Sequence, residues 1–154
     1  MRLTVRSARL QDEDEVIGLW RACNLVASHN DPATDFRFAR AGASSDVLIA
    51  EDEGGRIVGS VMVGHDGHRG WLYYLASAEK LRGRGVGRAM VEAAEEWLRL
   101  RGVHKVQLLV RETNITVIPF YERVGYEVTP RVLMSKWLEP AAQEAEGRKR
   151  CHPA

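Results

Sequence analysis

The feature that most constrains this chain is a basic, glycine-rich loop, Arg82–Arg88, between two apolar segments of different periodicity. Residues 71–76 before the loop are aromatic and apolar, which favours a strand. From Val86 to Arg101 apolar residues recur at spacings of three and four, which predicts an amphipathic helix ended by Gly102. Because glycines admit a close ligand and a helix start carries free N–H donors, we expect a pyrophosphate or similar anion at Gly85–Gly87.

Two common phosphate-binding motifs do not fit this loop. The dinucleotide pattern G-x-G-x-x-G lacks its third glycine in both registers. That position is Arg88 when the pattern starts at Gly83 and Met90 when it starts at Gly85. No glycine-lysine-serine or glycine-lysine-threonine sequence appears anywhere, so a P-loop is excluded. On the loop alone, a flexible basic turn that starts a helix is an equally good interpretation.

The rest of the chain predicts an α/β fold, with a mixed, mostly antiparallel sheet of six or seven strands and about four helices. Tight turns join the three strands before the loop, so these should pair antiparallel. The strands on either side of helix 86–101 should run parallel, with a splay between them. Asp31 should cap the second helix with Pro32 at its first position, and Thr116 should cap the fourth, which keeps Pro119 in the first turn. Strands are predicted near 3–8, 47–50, 57–64, 71–76, 103–110, 126–128 and 131–138, and helices near 11–23, 32–41, 86–101 and 115–124.

Composition excludes several classes of protein. The 154 residues carry 22 Lys+Arg and 21 Asp+Glu, so a net charge of +1 argues against nucleic acid as the main partner, and Arg148–Arg150 adds little affinity. The two cysteines form no disulfide framework, and no zinc-ligand spacing or other metal motif is present. With no signal peptide and no apolar run of ~18 residues, we expect a cytoplasmic protein without a membrane partner. We expect one domain over 1–138 and a polar tail over 139–154.

A second motif follows the next predicted strand. Asn114 is followed by Tyr121, Gly125 and Tyr126, at the spacing Asn-x-x-Ala-x-x-x-Tyr-x-x-x-Gly-Phe/Tyr, with Val117 where alanine is usual. Together the loop and this motif resemble the GNAT family of N-acetyltransferases, in which a strand leads to Arg/Gln-x-x-Gly-x-Gly/Ala. Residues 31–35 and 66–70 look like the bacterial YpeA-like subgroup. The chain departs from the family pattern at 77–79, where Val-x-Pro is common.

The resemblance implies that the protein binds acetyl-CoA and transfers its acetyl group to a primary amine of a small molecule or peptide. By resemblance, backbone of Leu75, Ala76 and Ser77 would pair with the pantetheine arm and hold the thioester oxygen. Asn114 would hydrogen-bond the pantetheine amide, and Tyr121 would protonate the leaving thiolate, as a phenol can. The pyrophosphate would lie on the glycine loop, with Arg82, Gly83, Arg84, Gly85, Val86, Gly87 and Arg88.

The acceptor side is less defined by the sequence. Acidic and aromatic residues are candidates to line a pocket for a cationic amine: Trp20, Asp31, Asp35, Asp66, Trp71 and Tyr73. A base for the amine is expected among His65, His68 and these carboxylates, or Tyr73 organises a water, although Asp31 also fits a helix cap and Asp66 a turn. Alternatives are a non-catalytic acyl-CoA sensor and a transferase for another acyl-CoA, such as succinyl-CoA. The protein is expected to be a monomer or a homodimer paired through Val132–Leu138.

Overall fold

The computed structural model describes residues 1–28 and 30–139, so the predicted tail lies almost entirely outside the described residues. These residues belong to two compact units, one of Met1–Val26 with Asp31–Leu109 and one of Ala27–Asn30 with the residues from Val110 onward. The first unit contains β1 (Thr4–Ser7), α1 (Glu13–Ala22), α2 (Pro32–Ala39), β2 (Ser45–Glu51), β3 (Ile57–His65), β4 (Gly70–Ser77), α3 (Val86–Arg99) and β5 (Val106–Gln107), with short 3-10 helices at Leu10–Asp12 and Glu79–Leu81. The second unit contains a 3-10 helix (Glu112–Val117) and α4 (Ile118–Arg123).

The sheet of the first unit has the order β1-β2-β3-β4-β5. The first three pairings are antiparallel and β4 pairs with β5 in parallel, as the sequence predicts. The described residues form five strands, so the prediction of six or seven is wrong. The strand predicted at 103–110 shortens to Val106–Gln107, and 126–128 and 131–138 form none.

Burial explains the missing strands, since strand preference reflects packing on a half-buried surface more than the backbone itself. Val128, Val132, Leu133 and Met134 have the β-branched and apolar character that predicts strands. Their side chains are 67–89% exposed in this structure, so the apolar pattern there has no core to face.

The sheet buries side chains on both of its faces. On one face α1 and α2 cover a core that includes Trp20, Phe36 and Ile49. On the other face α3 lies against β3 and β4, where two glycines allow a close approach. A Cβ at Gly59 would lie 2.6 Å from Val86 Cγ1, and a Cβ at Gly70 would lie 2.5 Å from Leu98 Cδ1. The beginning and the end of α3 are therefore each held over a glycine of the sheet.

The helix starts follow local chemistry. The predicted cap at Asp31 is confirmed, because its Oδ1 accepts the N–H groups of Ala33 (3.1 Å) and Thr34 (3.3 Å). The predicted cap at Thr116 is wrong, because a 3-10 turn runs through Val117 and α4 begins at Ile118. Pro119 still falls in the first turn, where a proline needs no partner for its nitrogen. No helix within 1–28 and 30–139 is long and apolar enough to cross a membrane.

Candidate functional site

The first turn of α3 forms a set of outward hydrogen-bond donors. Gly85 is the N-cap, in the left-handed conformation with φ 88°, and among the described residues no side chain caps this helix. The N–H groups of Arg82 and Arg84 bond to the 3-10 turn before the loop, so the donors left for a ligand are those of the helix start. The first turn holds no acidic residue, while Arg82, Arg84 and Arg88 are exposed around it. This arrangement fits an anion.

The edge of β4 that faces β5 is the second feature. β4 and β5 pair only at Gly70–Val106 and Trp71–Gln107, so the described pairing ends where the predicted splay would begin. The predicted backbone contacts, Leu75, Ala76 and Ser77, lie further along β4. Ala76 is buried in the α1–α2 core, which fixes the backbone there. Such an edge can accept an extended ligand segment in the manner of an added strand.

The second unit carries the predicted Asn114 and Tyr121. Asn114 is exposed and interrupts the 3-10 helix with φ −125° and ψ 31°, and its N–H bonds to the Arg111 carbonyl at 2.8 Å. Tyr121 lies in α4 with its ring against Phe120 and Tyr126, at centroid distances of 5.1 and 5.9 Å. Burial raises the pKa of Tyr121, so its hydroxyl stays protonated at neutral pH and can donate a proton.

Two of the predicted acceptor-side carboxylates are held by local hydrogen bonds. Besides capping α2, Asp31 accepts the Thr34 hydroxyl at 2.7 Å, and bonds from Thr34 lower the pKa of Asp31. Asp66 accepts the N–H groups of Arg69 (2.8 Å) and His68 (2.9 Å) and the Trp71 indole N–H (3.3 Å). These bonds, the backbone ones first, lower the pKa of Asp66 to about 2. Both groups remain anions that can attract a cation but accept a proton poorly at neutral pH.

Other acceptor-side candidates lie in different environments. Trp20 is fully buried, and its indole N–H donates to the Ser60 hydroxyl at 2.9 Å, so it is a core residue rather than a pocket wall. The prediction that Trp20 lines the acceptor pocket is therefore wrong. His65 accepts the Gly67 N–H on Nδ1 at 3.1 Å within the turn after β3. Tyr73 is 48% exposed on β4, where burial and the charge of Asp66 raise its pKa.

Tyr74 is a candidate that the sequence reasoning missed. It has φ 52° within β4, which is rare for a residue with a side chain, and it lies at a register shift between β3 and β4. Its hydroxyl donates to Asp35 Oδ2 at 2.7 Å, and its ring stacks on Trp20 at 4.0 Å. The signal available in the sequence is the pair of adjacent tyrosines, which breaks the alternation expected of a strand.

Comparison with known proteins decides the family. The model described as "Acetyltransferase (GNAT) family" matches residues 11–126. The chain belongs to the GNAT family of acetyltransferases. An acetyltransferase of Pectobacterium atrosepticum is 39% identical over 136 residues, which cover 88% of this chain and 96% of that protein. An acetyltransferase of Sodalis glossinidius is 39% identical over 132 residues, covering 86% and 92%.

Solved structures share the fold of this GNAT protein. The glucosamine-6-phosphate N-acetyltransferase of Arabidopsis thaliana aligns with a TM-score of 0.69 and 22% identity, over 90% of this chain and 100% of the other. The structure of AAC(6')-Iy in complex with the bisubstrate analogue CoA-S-monomethyl-acetylneamine aligns with a TM-score of 0.75 and 18% identity, over 89% and 99%. A predicted acetyltransferase with acetyl-CoA from Clostridium acetobutylicum aligns with a TM-score of 0.70 and 16% identity, over 88% and 96%.

Within the first unit of this acetyltransferase, the predicted cofactor residues lie in two successive segments, 75–77 and 82–88. The end of β4 leads through the 3-10 turn Glu79–Leu81 to the start of α3, so the open strand edge and the anion-binding donors follow one another along the chain. An extended arm ending in a pyrophosphate fits that order. Within 1–28 and 30–139 no group of three His, Cys, Asp or Glu side chains is placed to hold a metal ion.

Proposed function

We propose that this GNAT protein transfers an acetyl group from acetyl-CoA to a primary amine of a small molecule or peptide, by direct attack in a ternary complex. The observation that carries the proposal is the start of α3, where Gly85 opens a helix that no described side chain caps and whose first turn holds no acidic residue. That turn suits a diphosphate ester, the charged part of acetyl-CoA. Its place directly after the end of β4 supports an acyl-pantetheine ligand over a simple phosphate.

Acetyl-CoA would supply the activated acetyl group as a thioester. The backbone of Leu75–Ser77 would align the pantetheine arm, and an N–H there would stabilise the negative charge that grows on the thioester oxygen. Such a donor is worth about 2.7–4 kcal/mol in comparable enzymes. From the resemblance we assign Asn114 to the pantetheine amide and Tyr121 to protonation of the thiolate. The raised pKa of Tyr121 supports the second role, since it keeps the proton available.

We also propose assignments that rest on the sequence alone. These are membership of the YpeA-like subgroup, one catalytic domain over 1–138, and action in the cytoplasm as a monomer or homodimer. The balanced charge of 22 Lys+Arg and 21 Asp+Glu supports a partner other than nucleic acid or an anionic membrane.

A calorimetric titration with acetyl-CoA tests the proposal directly, with ATP and NAD as controls. We expect micromolar binding of acetyl-CoA alone, followed by acetylation of amines. Binding without transfer to any amine would support a non-catalytic acyl-CoA sensor. No binding by the folded protein would refute the site assignment.

A pair of charge reversals on α3 tests the position of the site. Arg88→Glu places a carboxylate in the first turn, where it favours the helix dipole but repels a diphosphate. Arg99→Glu makes the same change of charge in the last turn of the same helix. We expect acetyl-CoA affinity to fall about tenfold or more, at least 1.4 kcal/mol, in the first variant only. Equal losses in both would indicate a general charge effect instead of a site at the start of α3.

Tyr121→Phe separates catalysis from binding. Removing a general acid lowers turnover by about 10²–10⁴-fold. We expect a loss of that order in kcat while acetyl-CoA affinity stays within about twofold, because the ring that packs on Phe120 and Tyr126 remains. A large loss of affinity would show that Tyr121 acts in packing and not in proton transfer.

A further inference from the structure

The bulge in β4 changes the direction of one tyrosine. Tyr73 lies opposite Met62 and Ala76 lies opposite Ser60, so Tyr74 and Leu75 together occupy the place opposite a single residue of β3. Met62 and Ala76 pack in the core under α1 and α2, which places Tyr73 on that face as well. A regular strand would send the next residue to the α3 face. The left-handed backbone at Tyr74 instead turns its ring toward α1 and α2, onto Trp20.

Two side-chain contacts and one backbone contact fix Tyr74 in that direction. Its ring stacks on the Trp20 indole with an interplanar angle of 14°. Its carbonyl accepts the Ser60 hydroxyl at 3.2 Å, and Ser60 in turn accepts the Trp20 N–H at 2.9 Å. Its hydroxyl donates to the Asp35 carboxylate at 2.7 Å, and both side chains are half-buried, within reach of solvent. The phenol oxygen therefore has a fixed position beside a carboxylate, on a side chain that solvent reaches in part.

We infer that Tyr74 and Asp35 form the proton relay for the acceptor amine, with Tyr74 as the group that touches the amine and Asp35 as its positioning partner. The inference rests on the proposed function. Backbone strain of this kind persists at functional sites, and bulges re-aim side chains there. Tyr74 directly precedes Leu75–Ser77, the backbone proposed to hold the acetyl thioester. A base oriented by a second group is the arrangement that activates a nucleophile.

The proton transfers balance as follows. An acceptor ammonium gives one proton to Tyr74 Oη while that hydroxyl gives its own proton to Asp35 Oδ2. The neutral nitrogen then forms its bond to the acetyl carbon as the carbon–sulfur bond breaks, and the sulfur leaves with the electron pair. The sulfur takes a proton from Tyr121, and the second proton of the nitrogen restores that phenol, which gives an amide and a thiol. Asp35 returns its proton to water and the relay is restored.

Other charged or titratable groups lie on the elements packed around the pair. On α1 and α2, Glu13 and Arg37 bond to each other at 2.6 and 2.8 Å, and Asp31 caps α2. Others are Asp14, Glu15, Arg21 and Cys23 on or after α1, Arg40 after α2, Asp46 and Glu51 on β2, His65 at the end of β3, Tyr73 on β4 and Asp66 in the turn before β4. A pH-dependent effect assigned to the relay must therefore be absent when a different carboxylate on the same helices is replaced.

The experiment uses the full chain, acetyl-CoA and a series of ring-substituted benzylamines, which differ in basicity but not in the shape near nitrogen. Rates are measured against pH for the wild type, Tyr74→Phe, Asp35→Asn and the double variant, with Asp14→Asn as the control. We expect kcat/KM at pH 7 to fall about tenfold to hundredfold in both single variants and no further in the double. The defect should shrink as the benzylamine becomes less basic, and the acidic limb should move to higher pH.

Affinity for acetyl-CoA and the melting temperature are measured for each variant alongside the rates. We expect affinity within about twofold of the wild type throughout. A loss of rate that is equal for all benzylamines, with an unchanged pH profile, would show a structural tie and overturn the inference. Full activity of Tyr74→Phe would overturn it while leaving the proposed function intact. A wild-type protein that binds acetyl-CoA but acetylates no benzylamine would overturn the function for this acceptor class, and the relay with it.

Discussion

Gly59→Ala perturbs the contact that positions the start of α3. The added Cβ would lie 2.6 Å from Val86 Cγ1 and 3.2 Å from Met90 Cγ. The first distance must grow by about 0.8 Å to reach the 3.4 Å of ordinary contact. Valine is stiff at χ1, so the shift passes to the backbone of the helix start. That backbone is the proposed anion site.

The change in the free energy of unfolding caused by Gly59→Ala is the difference between two opposing contributions. Overpacking of this kind costs about 1–3 kcal/mol, while replacing glycine lowers the entropy of the unfolded chain by about 0.4–1 kcal/mol. We expect a net loss of about 1–2 kcal/mol, which lowers the melting temperature by about 2–8 °C for a chain of this size. In addition, acetyl-CoA affinity should fall several-fold.

Gly70→Ala is the matched control, at the other end of the same helix. Its Cβ would meet Leu98 Cδ1 at 2.5 Å, Cδ2 at 2.8 Å and Cγ at 3.2 Å, so it overpacks the end of α3 and leaves its start untouched. We expect a comparable loss of stability but unchanged acetyl-CoA affinity, with melting followed by calorimetry and binding by titration. In a Val86→Ala background the Gly59→Ala change should add little. Wild-type stability of Gly59→Ala, or equal affinity losses in both variants, would refute this reasoning.

Three further outcomes concern carboxylates of the first unit. Asp46→Ala should cost about 3 kcal/mol or more in urea denaturation, because the buried carboxylate accepts bonds from Ser7 Oγ (2.7 Å) and Ala41 N (2.9 Å) that would lose their partner. The hydrogen bond from Arg6 lowers the pKa of Asp12 below the ordinary value of 3.8. The ionised Asp12 therefore stabilises the fold fully above pH 3.8, and this stabilisation is lost as the pH falls through the lowered pKa of the folded protein. Asp12→Asn should therefore flatten the acid limb of a stability–pH curve. Asp31→Asn should keep the helix cap and the melting temperature, whereas Asp31→Ala should lower the melting temperature. A loss of activity in Asp31→Asn would show that the charge of Asp31 acts in amine binding.

Local rules accounted for most of the fold. Asp31 followed by Pro32 fixed the start of α2, and the glycine turns fixed the antiparallel order of β2, β3 and β4. These features depend on residues close in sequence, whose preferences no distant contact overrides. Strands at 126–128 and 131–138 did not form, because an apolar alternation specifies a strand only where a core covers one face.

The candidate site was predictable to the extent that it consists of backbone. Glycines and the helix start place donors by local geometry, so an anion site at Gly85–Gly87 could be proposed from the loop, and the second motif favoured it over a simple basic turn. The Tyr74–Asp35 contact joins residues 39 positions apart through a bulge that no periodicity reveals. Trp20 shows the converse, since the same helical spacing serves a core residue and a pocket residue.

The short pairing between β4 and β5 has a consequence for the stability and abundance of the protein in a cell. An unpaired strand edge is a template for association with other chains, which proteins normally cover. If acyl-CoA occupies this edge, the ligand stabilises the folded protein. At a free concentration of a hundred times its dissociation constant, it adds about 2.7 kcal/mol to the free energy of unfolding. The abundance of such a protein would then follow the supply of activated acetyl groups, rising when the donor is plentiful and falling to proteolysis when it is scarce.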